Sequence, residues 1–273
     1  LKVDLQMFSD PTMVPTAMVG NALDGGTLTY DQVISAVARG IPHKVVMPID
    51  FSNGGDAIVA DQSIKSVTDF KGKKVGFSPL STSDFLLAYA LKSHGLSYKD
   101  IVPVSMTPEN VPSAMASGSL PIGVTYEPNV SQAVGMPGNK FHVVYSSKEA
   151  PGLITDVLVF DERVIAKRPA AIKALMQGYL DGLAYIETHP DEAAVIIAKV
   201  LGVSPEEAKE QLKTVYNIKL PEMAKNFEKS DATTSFYGSG ELIAQLLKAN
   251  GQITDIPDFG STFDTRFVNE LTR

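Results

Sequence analysis

Short apolar runs alternate with stretches of helical periodicity through the middle of the chain. Residues 74–77, 101–104, 122–125 and 142–145 read as strands, and 81–94 and 109–117 as helices between them. That alternation predicts a sheet with helices on its faces. The helix at 81–94 has the clearest bounds. Ser81-Thr82-Ser83-Asp84 has a capping-box pattern, Phe85, Leu86, Tyr89 and Ala90 follow at helical spacing, and Gly95 is a stop. Beyond Phe160 the pattern turns helical. Across 169–188, Ile172, Leu175, Met176, Tyr179, Leu183 and Ile186 form one apolar stripe, read as packing. A helix over 191–201 follows. Ser204-Pro205-Glu206-Glu207 then supplies an N-cap, an N1 proline and an N3 glutamate for a helix running to Tyr216, and a last helix over 241–250 stops at Gly251.

The two halves of this pattern repeat each other. Ala17-Met18-Val19-Gly20, Leu28-Thr29-Tyr30-Asp31, His43-Lys44-Val45-Val46 and Asp56-Ala57-Ile58-Val59 each recur, in the same order, about 100 residues later. The counterparts are Ala114 to Gly118, Val124 to Glu127, His142 to Val144, and Asp156 to Val159. Duplication of an α/β unit predicts two similar lobes, with crossovers near 58–61 and 158–161: residues 1–61 and 157–273 in lobe 1, and 62–156 in lobe 2. Residues 1–8 align with the strand expected at 101–107, and nothing upstream of Leu1 matches 73–100. A first strand and helix are therefore expected to be missing, which would leave an uncovered sheet edge.

Length and composition narrow the class. The 273 residues allow one large or two small domains, and 44% hydrophobic with 20% charged residues is ordinary globular usage. Lys plus Arg number 24 against 31 Asp plus Glu, a net charge of −7 that repels phosphate backbones, so nucleic acid is not an expected partner. The absence of cysteine excludes disulfides, a thiolate nucleophile, thiolate zinc sites and iron–sulfur clusters. No apolar run reaches the 18 to 20 residues or so that span a bilayer.

Familiar catalytic motifs are also absent. There is no Gly-x-Ser-x-Gly elbow, Gly238-Ser239-Gly240 lacks the third glycine of a dinucleotide loop, and Gly72-Lys73-Lys74 lacks the first glycine and the hydroxyl of a phosphate loop. His43, His94, His142 and His189 lie far apart, with no pair spaced to hold a metal on one helix. No cofactor and no catalytic residue is expected.

Ligands of open α/β sheets sit at strand C-terminal ends and helix N-termini. Those positions nominate Tyr30, Asp50, Ser52, Asp56, Ser78, Ser81, Thr82, Ser83, Tyr126, Glu127 and Asp156. The hydroxyls of Ser78 to Ser83 meet the positive end of a helix, a setting for an anion; the competing reading is a plain N-cap, with Asp84 serving the helix dipole. Asp50, Asp56, Glu127 and Asp156 could neutralise a cation or stand as solvated loop carboxylates. Tyr30 and Tyr126 offer aromatic walls, or half-buried packing.

At these residues the chain resembles the periplasmic solute-binding proteins of ABC importers, in the nitrate, sulfonate and taurine group. The matching segments are Asp24-Gly25-Gly26-Thr27-Leu28-Thr29-Tyr30, Gly40-Ile41-Pro42-His43-Lys44-Val45-Val46, Asp56-Ala57-Ile58-Val59-Ala60 and Asp69-Phe70-Lys71-Gly72-Lys73-Lys74-Val75-Gly76. Tyr126-Glu127-Pro128 and Ser146-Ser147-Lys148-Glu149-Ala150-Pro151-Gly152 follow. Pro121 departs from the family's common aspartate. The resemblance implies a type II periplasmic binding fold, two similar α/β lobes joined by two crossover strands, closing by hinge motion on a small organic anion or zwitterion such as taurine or an alkanesulfonate. It also implies a monomer that delivers ligand to a membrane permease, placed in the periplasm or lipid-anchored outside the cell, with an anionic group held at Ser81–Ser83. Alternatives are a binder of an amine or aromatic heterocycle, a pyrimidine-forming enzyme on the same fold, disfavoured by the missing cysteine, and the effector lobe of a transcription regulator.

Overall fold

A computed structural model describes residues 1–8 and 12–271. The chain divides into two compact units, one of residues 1–51 and 152–273, the other of residues 52–151. In chain order the first stretch gives α1 (Met13–Val19), β1 (Gly25–Thr29), α2 (Tyr30–Ala38) and β2 (His43–Ser52). The second unit holds β3 (Asp56–Asp61), β4 (Lys74–Phe77), α3 (Thr82–Ser93), β5 (Val102–Ser105), α4 (Val111–Ala116), β6 (Ile122–Tyr126), α5 (Asn129–Val134) and β7 (Phe141–Ser146). The return to the first unit adds β8 (Thr155–Asp161), α6 (Glu162–Lys167), α7 (Pro169–Thr188), α8 (Pro190–Leu201), α9 (Pro205–Leu212), β9 (Val215–Asn217), α10 (Leu220–Asn226), α11 (Phe236–Ala249) and α12 (Arg266–Leu271).

The sheets carry the duplication. In the second unit the order is β5-β4-β6-β3-β7, with β4 parallel to β5 and β6, and β3 antiparallel to β6 and β7. In the first it is β1-β8-β2-β9, with β8 antiparallel to both β1 and β2. Thus β1-β8-β2 repeats β6-β3-β7, the arrangement expected from the matching sequence blocks. Residues 1–8 alternate apolar and polar but form no strand, and Leu1, Val3, Leu5 and Met7 are exposed. An extended segment becomes a strand only when a neighbour satisfies its backbone groups.

The boundary between units differs from the sequence expectation. The repeat puts residues 56–61 in lobe 1, yet β3 pairs along its length with β6 and β7, so the chain passes between units at 51/52 and 151/152. The hydrogen-bonded partners of a strand, rather than its place in a repeat, decide which sheet owns it.

The helix bounds follow local chemistry. α9 starts with its capping box, Ser204 Oγ accepting from the Glu207 amide at 3.2 Å and Glu207 accepting from the Ser204 amide at 2.8 Å. It stops at Leu212 rather than continuing to Tyr216, since Val215–Asn217 is strand β9 and the Tyr216 ring stacks on Phe51 at 4.7 Å. α11 begins five residues before the expected Glu241, capped by Ser235.

The second unit packs Ala57, Val59, Val111, Met115, Leu120, Val130, Ala133 and Phe141 into one cluster between sheet and helices. The first unit is anchored by aromatic side chains, with Phe236 4.4 Å from Tyr30 and 5.2 Å from Phe227.

Candidate functional site

Within the second unit, parallel β4 and β6 both end at the sheet edge where β3 begins and β7 ends, as the register Asp56↔Tyr126 and Ala57↔Ser146 requires. This edge gathers Ser52, Asp56, Ser78, Ser81, Thr82, Ser83, Tyr126 and Glu127, eight of the sequence-nominated residues.

At the start of α3, Ser81 is the N-cap: its hydroxyl donates to the Ser78 carbonyl at 2.7 Å and accepts from the Ser83 amide at 3.2 Å. The hydroxyls of Ser78 and Ser83 meet no hydrogen-bond partner among the described residues, although both residues are buried, Ser83 to 2% exposure. They are donors without an internal acceptor, beside the amides of the first helical turn. Asp84 lies in the same turn, accepting from the Leu80 amide at 2.9 Å and from the Tyr98 hydroxyl. The N-cap reading and the donor-rich helix start therefore coexist.

The Ser52–Asp56 turn is pinned from β7's end. Ser52 Oγ and Ser147 Oγ are 2.7 Å apart, the Gly54 amide donates to Ser147 Oγ at 2.7 Å, and the Asp56 amide donates to Ser52 Oγ at 3.0 Å. Gly54 adopts φ +107°, a backbone conformation that residues with a side chain rarely take; the Lys148 Cε that a Cβ would approach to 2.7 Å is the end of a flexible chain and can move aside. Burial pushes the Asp56 carboxyl up to about 6, against the opposing effect of the Ser52 hydroxyl.

The other two residues of this edge have local work. The Tyr126 hydroxyl donates to Glu109 Oε1 at 3.1 Å. Glu127 caps α5, accepting from the Ser131 amide at 3.0 Å and its hydroxyl at 2.8 Å.

In the first unit, Asp50 of β2 and Asp156 of β8 stand directly opposite each other. Tyr179 of α7 joins them: its hydroxyl donates to the Ile49 carbonyl at 3.3 Å, and its phenol is raised by burial and by the charges of Asp50 and Asp156. Tyr30 is placed elsewhere. It starts α2, is 1% exposed, packs on Phe236, and shares a 2.9 Å hydrogen bond with Thr262. It is a core side chain, the packing alternative weighed from the sequence.

Two participants escaped the sequence reading. Tyr179 was absorbed into a helix stripe, where its period is indistinguishable from packing, and Ser147 lies in a matched segment but carries no signal that it would pin the Gly54 turn. No group of three or more His, Cys, Asp or Glu among the described residues is placed to hold a metal, and no helix among them is long and apolar enough to cross a membrane. A separate depression of about 560 Å³ in the first unit is lined by Lys44, Glu162, Lys173, Asp264, Arg266 and Glu270, with neighbouring apolar side chains. Its charges pair as Lys44–Glu162 at 3.0 Å, Lys173–Glu270 and Arg266–Asp264. It contains none of the nominated residues.

Comparison with known proteins agrees with this architecture. A putative binding protein of Brucella abortus is 23% identical over 232 residues, covering 82% of this chain and 70% of its own. A putative aliphatic sulfonates-binding protein of Escherichia coli is 31% identical over 153 residues, 54% of this chain and 45% of its own. Among solved structures, the periplasmic aliphatic sulphonate binding protein SsuA of Escherichia coli superposes with a TM-score of 0.76 at 19% identity, covering 94% of this chain and 84% of that one. The fold is that of the periplasmic binding proteins. The family model described as NMT1/THI5 like matches residues 1–193, and the chain belongs to that family.

Proposed function

We propose that this chain is the substrate-binding component of an ABC importer, periplasmic or lipid-anchored outside the cell. It takes a small organic anion or zwitterion, such as an alkanesulfonate or taurine, and delivers it to a membrane permease. The carrying observation is the start of α3, where buried Ser78 and Ser83 present hydroxyls without internal acceptors beside the first-turn amides. The sulfonate-binding relatives support the same class, and the cysteine-free chain lacks thiolate chemistry.

In the first unit Asp50 and Asp156 stand opposite each other, a pair of carboxylates suited to an ammonium. That pair also favours a second reading, a ligand that is an amine or protonated heterocycle without an anionic group. Calorimetric titration with taurine, ethanesulfonate and ethylamine separates the two. Taurine binding, weakened by Ser83→Ala and by Asp156→Ala, supports the zwitterion reading. Ethylamine binding as tightly as taurine supports the second. The Asp156 variant is expected to lose roughly 2–5 kcal/mol with an ammonium ligand, the cost of removing one partner from a buried charge pair.

A further inference from the structure

Helix α8 turns one face inward and one outward, and the outward face is apolar. Ala193, Ala194 and Ala198 are buried, with α7 and α9 packed against the helix. On the opposite side Val195 is 57% exposed, Ile196 58% and Val200 69%. Positions 192, 195, 196 and 199 fall on one stripe at helical spacing, so Glu192 and Lys199 close the two ends of the apolar pair Val195 and Ile196. Scattered exposed hydrophobic residues need no cause, but a contiguous apolar face on a surface helix marks an interaction surface. The three exposed residues are also β-branched, so they lose rotamer freedom against the preceding turn and gain no packing in return.

The charges of the stripe indicate what covers it. Among the described residues Lys199 has no ion-pair partner, and Glu192 meets only a neutral group, accepting from the Tyr185 hydroxyl at 2.5 Å. Asp191, the other acid of the first turn, is paired with Lys209 at 2.5 Å. Glu192 and Lys199 are seven residues apart, about 10 Å along the axis, and equally far from the midpoint between Val195 and Ile196. A second copy of α8, laid antiparallel on the first about a two-fold axis at that midpoint, puts Glu192 of each copy opposite Lys199 of the other. Val195 and Ile196 then meet their own counterparts across the axis. The face is complementary to itself. A bilayer bearing anionic lipids would instead meet a chain of net charge −7.

We propose that α8 is the contact face of a weak, two-fold symmetric dimer of this chain. One helix stripe falls well short of the roughly 800 Å² per partner of a standard interface, so the dissociation constant should be on the order of 0.1 to 1 mM. At low micromolar concentration the chain stays monomeric, as the family resemblance implies. None of the nominated ligand residues lies on α8, so the dimer stands or falls apart from the ligand reading.

Sedimentation equilibrium of the full chain, from roughly 20 µM to about 1 mM, brackets that constant and tests the dimer. Wild type is expected to move from monomer toward dimer across the range. Ile196→Lys, at a solvent-facing position, should stay monomeric throughout. Lys199→Glu sets like charges against each other at both ends of the stripe and should weaken association about tenfold; combining it with Glu192→Lys reverses the pairs and should return affinity to within about threefold of wild type. Thermal melts of the variants check that the fold is kept. Wild type that remains monomeric at the highest concentration overturns the proposal, whether or not it binds phosphatidylcholine vesicles. A dimer indifferent to Ile196→Lys, or a double reversal that associates no better than Lys199→Glu, overturns it as well.

Discussion

Gly123 sits in β6 directly beside Gly76 of β4, so the sheet of the second unit has two adjacent positions without side chains. Helix α4 and its flanking residues fill that hollow. A Cβ at 123 would stand 2.3 Å from Val111 Cγ1, 3.3 Å from Met115 Sδ and 3.5 Å from Leu120 Cδ2. Carbon atoms pack best at about 3.5–4.0 Å, so Val111 would have to retreat by more than an ångström. It has little room: Val111 is fully buried, and its branched side chain has few rotamers to try. Gly123→Ala is therefore an overpacking substitution costing about 1–3 kcal/mol. For a domain of this size that corresponds to a fall in Tm of about 2–4 °C per kcal/mol. Differential scanning calorimetry of Gly123→Ala, Val111→Ala and the double variant measures it. Val111→Ala alone should also destabilise, by opening a cavity, but in the Gly123→Ala background it should recover stability, giving a favourable coupling of at least about 1 kcal/mol. A Gly123→Ala chain that melts like wild type, or a double variant whose losses simply add, would refute the claim that these glycines set the distance between α4 and the sheet.

Three other perturbations follow from the same structure. His43 is 1% exposed, neither ring nitrogen has a hydrogen-bond partner among the described residues, and burial holds its imidazole below the ordinary value despite Asp161. Because the folded state disfavours the cation, the stability tied to neutral His43 is present above pH 6.5 or so and is lost as pH falls; the drop in Tm from pH 7.5 to 5 should be shallower in His43→Phe than in wild type. Asp56 has the opposite sign: its carboxyl is raised to about 6, so its contribution is full below the ordinary carboxylate value and is lost as pH rises through about 6. Asp56→Asn should therefore melt higher than wild type at pH 7.5 and lose that advantage at pH 4, and an equal shift at both pH values would contradict the assignment to burial. Ser204→Ala removes the α9 capping box and should cost about 1 kcal/mol in urea unfolding at unchanged m-value.

Patterns with strong local causes were legible before any coordinates. The helix over Pro169–Thr188 and the strand Lys74–Phe77 stand where periodicity put them. The capping box of α9 involves residues three apart, whose contacts survive in almost any tertiary setting. The duplication was readable too, since β1-β8-β2 and β6-β3-β7 descend from blocks that match in sequence.

Roles that depend on distant partners were harder to read. Tyr30 and Tyr126 occupy matched places in the repeat, yet Tyr30 is sealed under Phe236 and Thr262 while Tyr126 reaches Glu109, because the two units have different neighbours at that point. Tyr179 carried only the period of a packing stripe, and its position next to Asp50 and Asp156 exists only once α7 lies against the ends of β2 and β8. The division between units moved from 61/62 to 51/52 for a similar reason, since β3 belongs to the sheet that hydrogen-bonds it. By itself the sequence determined the fold class, the repeat, the helix caps and the hydroxyl-rich start of α3, all properties of residues within a turn or a period of one another. The tertiary structure alone decided which of those hydroxyls stay without an acceptor, which tyrosine is core, and that Asp84 holds the Leu80 amide and the Tyr98 hydroxyl. Burial and hydrogen-bond satisfaction are set by residues that meet only when the chain has folded.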